Sequence, residues 1–361
     1  MVHKRLITKL MKKMIHIPFI VRLMHWEYWN SAIIYAPLYP YWLWLSIKAR
    51  SFYFLTAANP SIKNGGYIME SKKDVYNLLP ANFYPETLLF ESGTPLEKIL
   101  TAIGNSSIFF PLIAKPDIGG RGLGVKKIEN EIELADYVSH MPVAFLIQQF
   151  VPFEKEIGIF YYRIPGADKG HISGIVNKEA VTIVGDGVST LTMLVMRNDR
   201  YALQWKQIKV AYSEILNSVL KRDEVMTLIP YGNHSRGSKF TDETFRINET
   251  LSATVDHICS QIPEFYYGRL DIRFKTWGLL EQGKDFSIIE VNGSGSEPTH
   301  IYDPANSIFS AWQEIIKHWK ILFAISKANN KKGIPYITFA NGNQERNSYR
   351  TICSLLNTRV W

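Results

Sequence analysis

Lys115 closes an apolar stretch, Phe109–Lys115, and Pro116-Asp117-Ile118-Gly119-Gly120-Arg121-Gly122-Leu123-Gly124-Val125 follows, with four glycines in six residues. Glycines let backbone N–H groups close around phosphate oxygens, and a lysine adds a point charge. The lysine precedes the glycines, the reverse of the P-loop order. A flexible hairpin turn is the plain alternative. Two further segments carry polar residues at alternate positions: Gly268-Arg269-Leu270-Asp271-Ile272-Arg273-Phe274 and Ile288-Ile289-Glu290-Val291-Asn292. Side chains alternate along a strand, so Arg269, Asp271 and Arg273 share one face, as do Glu290 and Asn292. Paired as a hairpin, the strands would bring Asp271, Glu290 and Asn292 together. Two carboxylates and an amide oxygen are hard ligands suited to Mg²⁺, which keeps waters and phosphates in its shell. The competing reading is an exposed sheet face in which these acids pair with Arg269 and Arg273.

The elements that must hold these residues alternate short strands and helices. The pattern predicts helices at Asp74–Leu79, at Glu131–His140 with Asn130 as its N-cap, at Thr244–Gln261 and at Ser307–Ala328. It predicts strands at Phe109–Lys115, Ala144–Val151, Glu156–Tyr162, Tyr267–Phe274 and Ser287–Asn292, with a strand pair and a helix within Ile172–Val184 and Val188–Arg197. This mixture of antiparallel hairpins and helices is an α+β pattern and not a regular βαβ series.

With 361 residues, 46% hydrophobic and 20% charged, the chain is globular and too long for one small domain. Its two cysteines, Cys259 and Cys353, exclude a disulfide framework and a Cys-rich zinc site and fit a reducing compartment. The net charge of +8 is uneven: Lys4, Arg5, Lys9, Lys12, Lys13 and Arg22 all precede the first acid, Glu27. The nearly neutral remainder is not the field of a nucleic-acid binder. Residues 4–17 read as an amphipathic helix stopped by Pro18. The run Ser31–Ile47 is 17 uncharged residues interrupted by Pro37 and Pro40, short of the about 20 that a spanning helix needs. Residues 1–50 are therefore read in two ways. They form a cytoplasmic-face membrane contact, with one substrate lipidic, or they pack on the body with their lysines solvated.

From about Lys72 to about Ile325 the chain resembles the ATP-grasp superfamily, most of all carboxylate–amine ligases of the D-alanine–D-alanine ligase and cyanophycin synthetase type. The resemblance implies two α+β subdomains clasping ATP at residues 67–328, after an aromatic, basic region at 1–66 and before an extension at 329–361. It makes Lys115 a nucleotide lysine before the glycine loop of Gly119, Gly120, Gly122 and Gly124, and Lys72 or Lys73 the other. Gln148-Gln149-Phe150-Val151 falls at the adenine hinge, where the family often has an acid, and Glu156 matches the ribose glutamate. Lys178 precedes Val184-Gly185-Asp186-Gly187, which is similar to a cyanophycin-type segment. Asp271, Glu290 and Asn292 match the metal ligands, implying two Mg²⁺ ions with Mn²⁺ able to substitute, and Arg269 matches the arginine that steadies the reacting acyl group. Arg236, in Asn233-His234-Ser235-Arg236-Gly237, would hold a substrate carboxylate or be a plain loop arginine. His300 would assist an acceptor or cap the helix after it.

The chain also departs from those ligases. Fewer than 70 residues precede the nucleotide domain, and Asn292 is followed by Gly293-Ser294-Gly295-Ser296 in place of Ser/Thr-Pro-Gly. Cell-wall dipeptide synthesis is therefore not expected. The leading expectation is an ATP-dependent ligase that joins a carboxylate, of a small molecule or a lipid, to an amine or thiol through an acyl phosphate. A small-molecule or lipid kinase would share the nucleotide residues. A scaffold without turnover would have no need of the metal face.

Overall fold

The structure, a computed structural model, describes residues 21, 24–229, 232, 234 and 237–357. The helix expected at residues 4–17 lies outside them. The uncharged run becomes two helices, α1 (Ser31–Tyr35) and α2 (Tyr39–Ala49), separated by a 3₁₀ turn at Ala36–Leu38. Asn30 caps α1 by accepting from the Ala32 amide. Pro40 falls in the first turn of α2, where a missing N–H costs nothing. The next helix, α3 (Lys72–Asn77), begins two residues earlier than its apolar pattern suggests, because Ser71 accepts from the Asp74 amide and sets the start.

Strand β1 (Thr87–Phe90), helix α4 (Leu96–Gly104), strands β2 (Leu112–Pro116) and β3 (Lys126–Ile128), helix α5 (Glu131–His140) and strand β4 (Phe145–Gln149) follow. β2 starts after Pro111, which cannot donate to a ladder. Asn130 caps α5 as its side chain accepts from the Glu133 amide at 3.0 Å. These strands form an antiparallel sheet in the order β1-β4-β2-β3. Leu112, Ala114, Phe145 and Ile147 on one of its faces pack against Ile99 and Ile103 of α4 and Leu134 and Tyr137 of α5.

The chain continues through β5 (Lys155–Tyr162) and β6 (His171–Glu179), then β7 (Val181–Val184), α6 (Leu191–Arg197), α7 (Asp199–Ala202), α8 (Trp205–Ala211), β8 (Val225–Ile229) and β9 (Lys239–Asp242). The single helix expected over 244–261 is a 3₁₀ turn, Thr244–Arg246, and then α9 (Glu249–Ser260). Asn248 breaks them apart by accepting from the Leu251 amide at 2.8 Å. β10 (Tyr267–Phe274), α10 (Trp277–Glu281), β11 (Phe286–Asn292), α11 (Ile308–Lys331) and α12 (Phe339–Leu356) complete the chain.

The chain divides into two bodies. The first comprises residues 1–37, 178–241 and 302–311. In it, β7 pairs antiparallel with β8, and Val181 and Ile183 bury against Leu191, Val195, Ile208 and Leu228. The second comprises residues 38–177, 242–301 and 312–361 and holds both larger sheets. In its second sheet the antiparallel order runs β11-β10-β5-β6. Ile157, Ile159, Ile175, Leu270, Ile272 and Ile288 bury one face against Leu251, Val255 and Ile258 of α9. Each such side chain contributes roughly 1.5–3 kcal/mol on burial. The two-residue period then commits the opposite face to Glu156, Arg269, Asp271 and Arg273.

Candidate active site

Lys115 stands one residue before the end of β2, buried, and its ammonium donates to three neutral oxygens: the Tyr76 hydroxyl at 2.9 Å, Gln148 Oε1 at 2.9 Å and the Ile289 carbonyl at 3.1 Å. The Tyr76 hydroxyl donates in turn to the Ile289 carbonyl, and Gln148 Nε2 donates to Thr87 Oγ1 at 2.7 Å. An ammonium has three donors, so this network saturates it with dipoles and supplies no direct anion. Burial lowers the Lys115 pKa to about 8, against the opposing pull of Glu290 and Asp117.

The sequence left Lys72 and Lys73 equivalent, and α3 separates them. Lys72 Nζ donates to the Gly119 carbonyl at 2.6 Å and lies 3.8 Å from Glu290 Oε1. Lys73 Nζ turns to the Thr87 carbonyl at 2.9 Å. Buried Asp117 ties α3 to the glycine loop, accepting from the Lys73 amide at 2.9 Å through Oδ1 and from the Lys72 amide at 3.2 Å through its carbonyl. Within the loop, Gly124 has φ +70°, and a Cβ there would lie 2.7 Å from Pro116 Cγ. Gly122 also has positive φ, and α12 reaches Gly119 and Gly120 through Leu356 and Tyr349.

The hairpin register sets Arg269 opposite Asn292 and Asp271 opposite Glu290. Arg269 holds Asp271 with two bonds, Nε to Oδ1 at 2.8 Å and Nη2 to Oδ2 at 3.2 Å, and donates from Nη1 to the Glu297 carbonyl at 3.3 Å. Burial opposes the charge of Arg269, but the charge and hydrogen bonds of Asp271 together with the charges of Glu290 and Glu297 outweigh it, and the guanidinium pKa is raised. Asn292 Nδ2 reaches Asp271 Oδ2 at 3.5 Å. Gly158 on β5 keeps the space beside Asp271 open, since a Cβ there would lie 3.1 Å from Asp271 Oδ1. Further along the same face, Glu156 pairs with Arg273 at 3.4 Å, and Arg273 also donates to the Val151 carbonyl at 3.3 Å and lies over the Phe150 ring. Gln149 Oε1 accepts from the Phe109 amide at 2.8 Å.

Sequence reasoning missed Glu70 and Tyr76. Glu70 Oε2 is buried without a hydrogen-bond partner. Burial raises its pKa, Lys72 and Lys63 pull it down, and neighbouring Glu290 pushes it up further. Glu70 stands two residues before Lys72, the one signal that could have flagged it. Tyr76 follows Lys72 by four residues on α3, one helical turn.

Among the described residues no group of three His, Cys, Asp or Glu side chains forms a cage for a metal. The set Asp271, Glu290 and Asn292 is two carboxylates and an amide. It fits Mg²⁺ that takes its remaining ligands from water and phosphate. Glu70 adds a buried, unpaired carboxylate oxygen beside Glu290, a place where a cation would relieve the local charge.

Lys178 is buried near the end of β6 in the first body, and Arg236 lies outside the described residues. The Val184–Gly187 segment builds a turn. Asp186 accepts from the amides of Val188 at 3.0 Å and Ser189 at 2.6 Å and from Arg197 at 2.9 Å. His300 does not stand alone: its ring crowds Gly174, and Glu314 lies 3.7 Å from it and 3.2 Å from His318.

No family model matches the chain, and no curated protein matches it. Among solved structures it is similar to a bifunctional glutathione synthetase from Pasteurella multocida, with 17% identity and a TM-score of 0.38 over 72% of this chain and 38% of that one. It is similar to a D-Ala:D-Ser ligase from Enterococcus faecalis, with 13% identity and a TM-score of 0.41 over 72% of this chain and 64% of that one. It is also similar to a D-alanine–D-alanine ligase from Bacillus anthracis, with 14% identity and a TM-score of 0.42 over 75% and 72%. These are ATP-grasp enzymes. The chain spans 38% and 64% of the length of the first two.

Proposed function

We propose that the second body binds ATP and joins a carboxylate to an amine or thiol through an acyl phosphate. One observation carries the reading. The ammonium of Lys115, from the sheet that bears the glycine loop, donates to the carbonyl of Ile289, the residue before Glu290, while Lys72 bridges the glycine loop to Glu290 itself. The glycine loop and a carboxylate face are thus joined at one point.

Lys72 and Lys115 would neutralise the phosphates, with loop amides adding donors. Asp271, Glu290 and Asn292 would hold Mg²⁺, which when bound screens the charge of the transferring phosphate. The substrate carboxylate takes the γ-phosphoryl group and ADP leaves. The amine then adds to the acyl carbon, loses a proton and expels phosphate. Arg269, oriented by Asp271, keeps further N–H groups for the acyl oxygen. Removing one such donor from other enzymes costs about 3–4 kcal/mol in the transition state. Glu156 and the backbone of Gln148–Val151 would take the ribose and adenine. Lys178 and Arg236 stay candidates for the phosphates and the substrate carboxylate. The cytoplasm is the natural compartment for an ATP consumer whose two cysteines, Cys259 and Cys353, are both free thiols.

The test is calorimetry with ATP and Mg²⁺, followed by ADP and phosphate assays over a panel of carboxylates with and without amines. Equal, amine-dependent release of ADP and phosphate supports ligation. ADP without phosphate would make the protein a kinase, and no ATP binding would end the reading. In the same assays Glu290→Gln should lose at least about 100-fold in turnover while its ATP affinity changes by no more than about threefold. Wild-type ADP production by this variant would overturn the metal face.

A further inference from the structure

Helix α2 is apolar on both of its sides. Leu45 is buried, Trp42 packs against Phe54 and Trp319, and Tyr41 stacks on Trp319. The opposite side is apolar too, and open. Tyr39 is 49% exposed, Leu43 51%, Trp44 47% and Ile47 76%. Tyr39, Leu43 and Ile47 follow at intervals of four, with Trp44 beside them, so they form one outward stripe. Lys48 Nζ sits 3.8 Å over the Trp44 ring, and exposed Arg50 ends the helix.

Cations flank this stripe on its own helix and on the neighbouring one. Helix α11, which meets α2 through Trp319, exposes Lys320 and Lys327. Its one acid, Glu314, is occupied by Lys317 and His318. Residues 1–50 contain eight lysines and arginines against one acid, Glu27, so they hold seven of the eight net positive charges. Glu27 is itself buried and paired with Arg200 at 2.6 Å.

We propose that the outward stripe of α2 seats the protein on the surface of a lipid leaflet rich in anionic phospholipid. Leu43 and Ile47 enter the acyl boundary, Tyr39 and Trp44 sit at headgroup level, and Lys48 and Arg50 meet the phosphates. The helix lies in the leaflet surface and does not cross it: among the described residues no helix is long and apolar enough to cross. A protein partner would bury the same apolar stripe but gives no reason for the cations Lys48, Arg50, Lys320 and Lys327 beside it. This inference is independent of the ligase reading.

The test is co-sedimentation of the full chain with vesicles of phosphatidylcholine alone and of phosphatidylcholine with phosphatidylglycerol, read together with tryptophan emission. The full chain should bind the anionic vesicles with a blue shift, and added salt should weaken binding. Leu43→Glu/Trp44→Glu/Ile47→Glu should reduce binding by about tenfold or more. Ile47→Glu, at the most exposed position, should give a smaller loss in the same direction. No binding of the full chain to anionic vesicles at low salt would overturn the proposal. So would wild-type binding by both variants, since the basic segment would then act alone. A wild-type dimer that the substitutions dissociate, with no vesicle binding, would make the stripe a protein interface instead.

Discussion

Two cations, Lys115 buried and Arg269 mostly so, mark the two sides of the candidate site, and they are compensated in opposite ways. On the glycine-loop side, Lys115 is surrounded by neutral oxygens, and burial lowers its pKa to about 8. On the hairpin side, Arg269 is held in two bonds by Asp271, and the charge and hydrogen bonds of Asp271, with the charges of Glu290 and Glu297, together more than offset the cost of burial. The arginine is electrostatically complete. Its charge fixes a carboxylate and a geometry. The lysine is solvated by dipoles but unneutralised, so an arriving phosphate would find a cation without a competing anion in contact. One side is prepared as structure, and under the proposed function the other is the receptor.

The comparison breaks most visibly if the hairpin pair is cut. Asp271→Ala leaves the Arg269 guanidinium mostly buried without its carboxylate, and the expected loss is about 3–5 kcal/mol of stability in urea denaturation. Adding Arg269→Met should recover much of it. Lys115→Met leaves only neutral groups without a partner and should cost less, about 1–3 kcal/mol. Equal losses from the two single variants would erase the distinction between the sides.

A pH series sharpens it. The folded pKa of Lys115, about 8, lies below its ordinary 10.5. Between these values the unfolded chain binds more protons than the folded one, so stability rises with pH. The penalty for the buried ammonium is therefore complete below pH about 8 and is relieved from there to about 10.5. ATP affinity should move the other way, falling by up to about tenfold per pH unit above 8 as the ammonium is lost. Lys115→Met should bind ATP weakly with a flat profile. An affinity that rises with pH in the wild type would show that Lys115 does not contact the nucleotide as a cation.

The two sides also differ in how much of them the sequence could express. The hairpin is a local matter: with alternation of period two, Asp271 and Glu290 had to share a face once the strands paired, and their register is visible in the residues themselves. The Lys115 side is assembled from distant segments. Its acceptors come from α3, β4 and β11, and no spacing announces that Tyr76 or Ile289 will meet a lysine. Ser71 sets which of Lys72 and Lys73 faces the glycine loop, because its cap fixes where the helix starts. Burial made Glu70 notable, and burial is a property of the whole fold. Likewise the aromatic run Ser31–Ile47 announced its hydrophobicity but not which residues would turn inward: Leu45 is buried and Ile47 is open, two positions apart. Helix α12, read only as part of an extension, proves to supply Leu356 to the core beneath the first sheet.

That helix gives the smallest of the expected effects and the most discriminating sign. A Cβ on Gly120 would lie 2.8 Å from the Tyr349 hydroxyl, too close for both atoms to stay in place. Gly120 is not in the positive-φ region, so its backbone accepts alanine without strain. Alanine there should itself stabilise by about 0.4–1 kcal/mol, by restricting the unfolded chain. In the wild type this gain opposes the clash, and Gly120→Ala should be neutral or mildly destabilising. Tyr349→Phe removes the one clashing atom, so in that background the same substitution should become stabilising. A double-mutant cycle by thermal or urea unfolding reads the difference directly, as a coupling of about 0.5–1 kcal/mol. Gly124→Ala provides the contrast. Its positive φ and the fixed ring of Pro116 at 2.7 Å leave no flexible group to move, so it should destabilise in both backgrounds. Strict additivity of Gly120→Ala and Tyr349→Phe would mean that α12 does not bear on the glycine loop, and that the receptor side of the site is shaped without it.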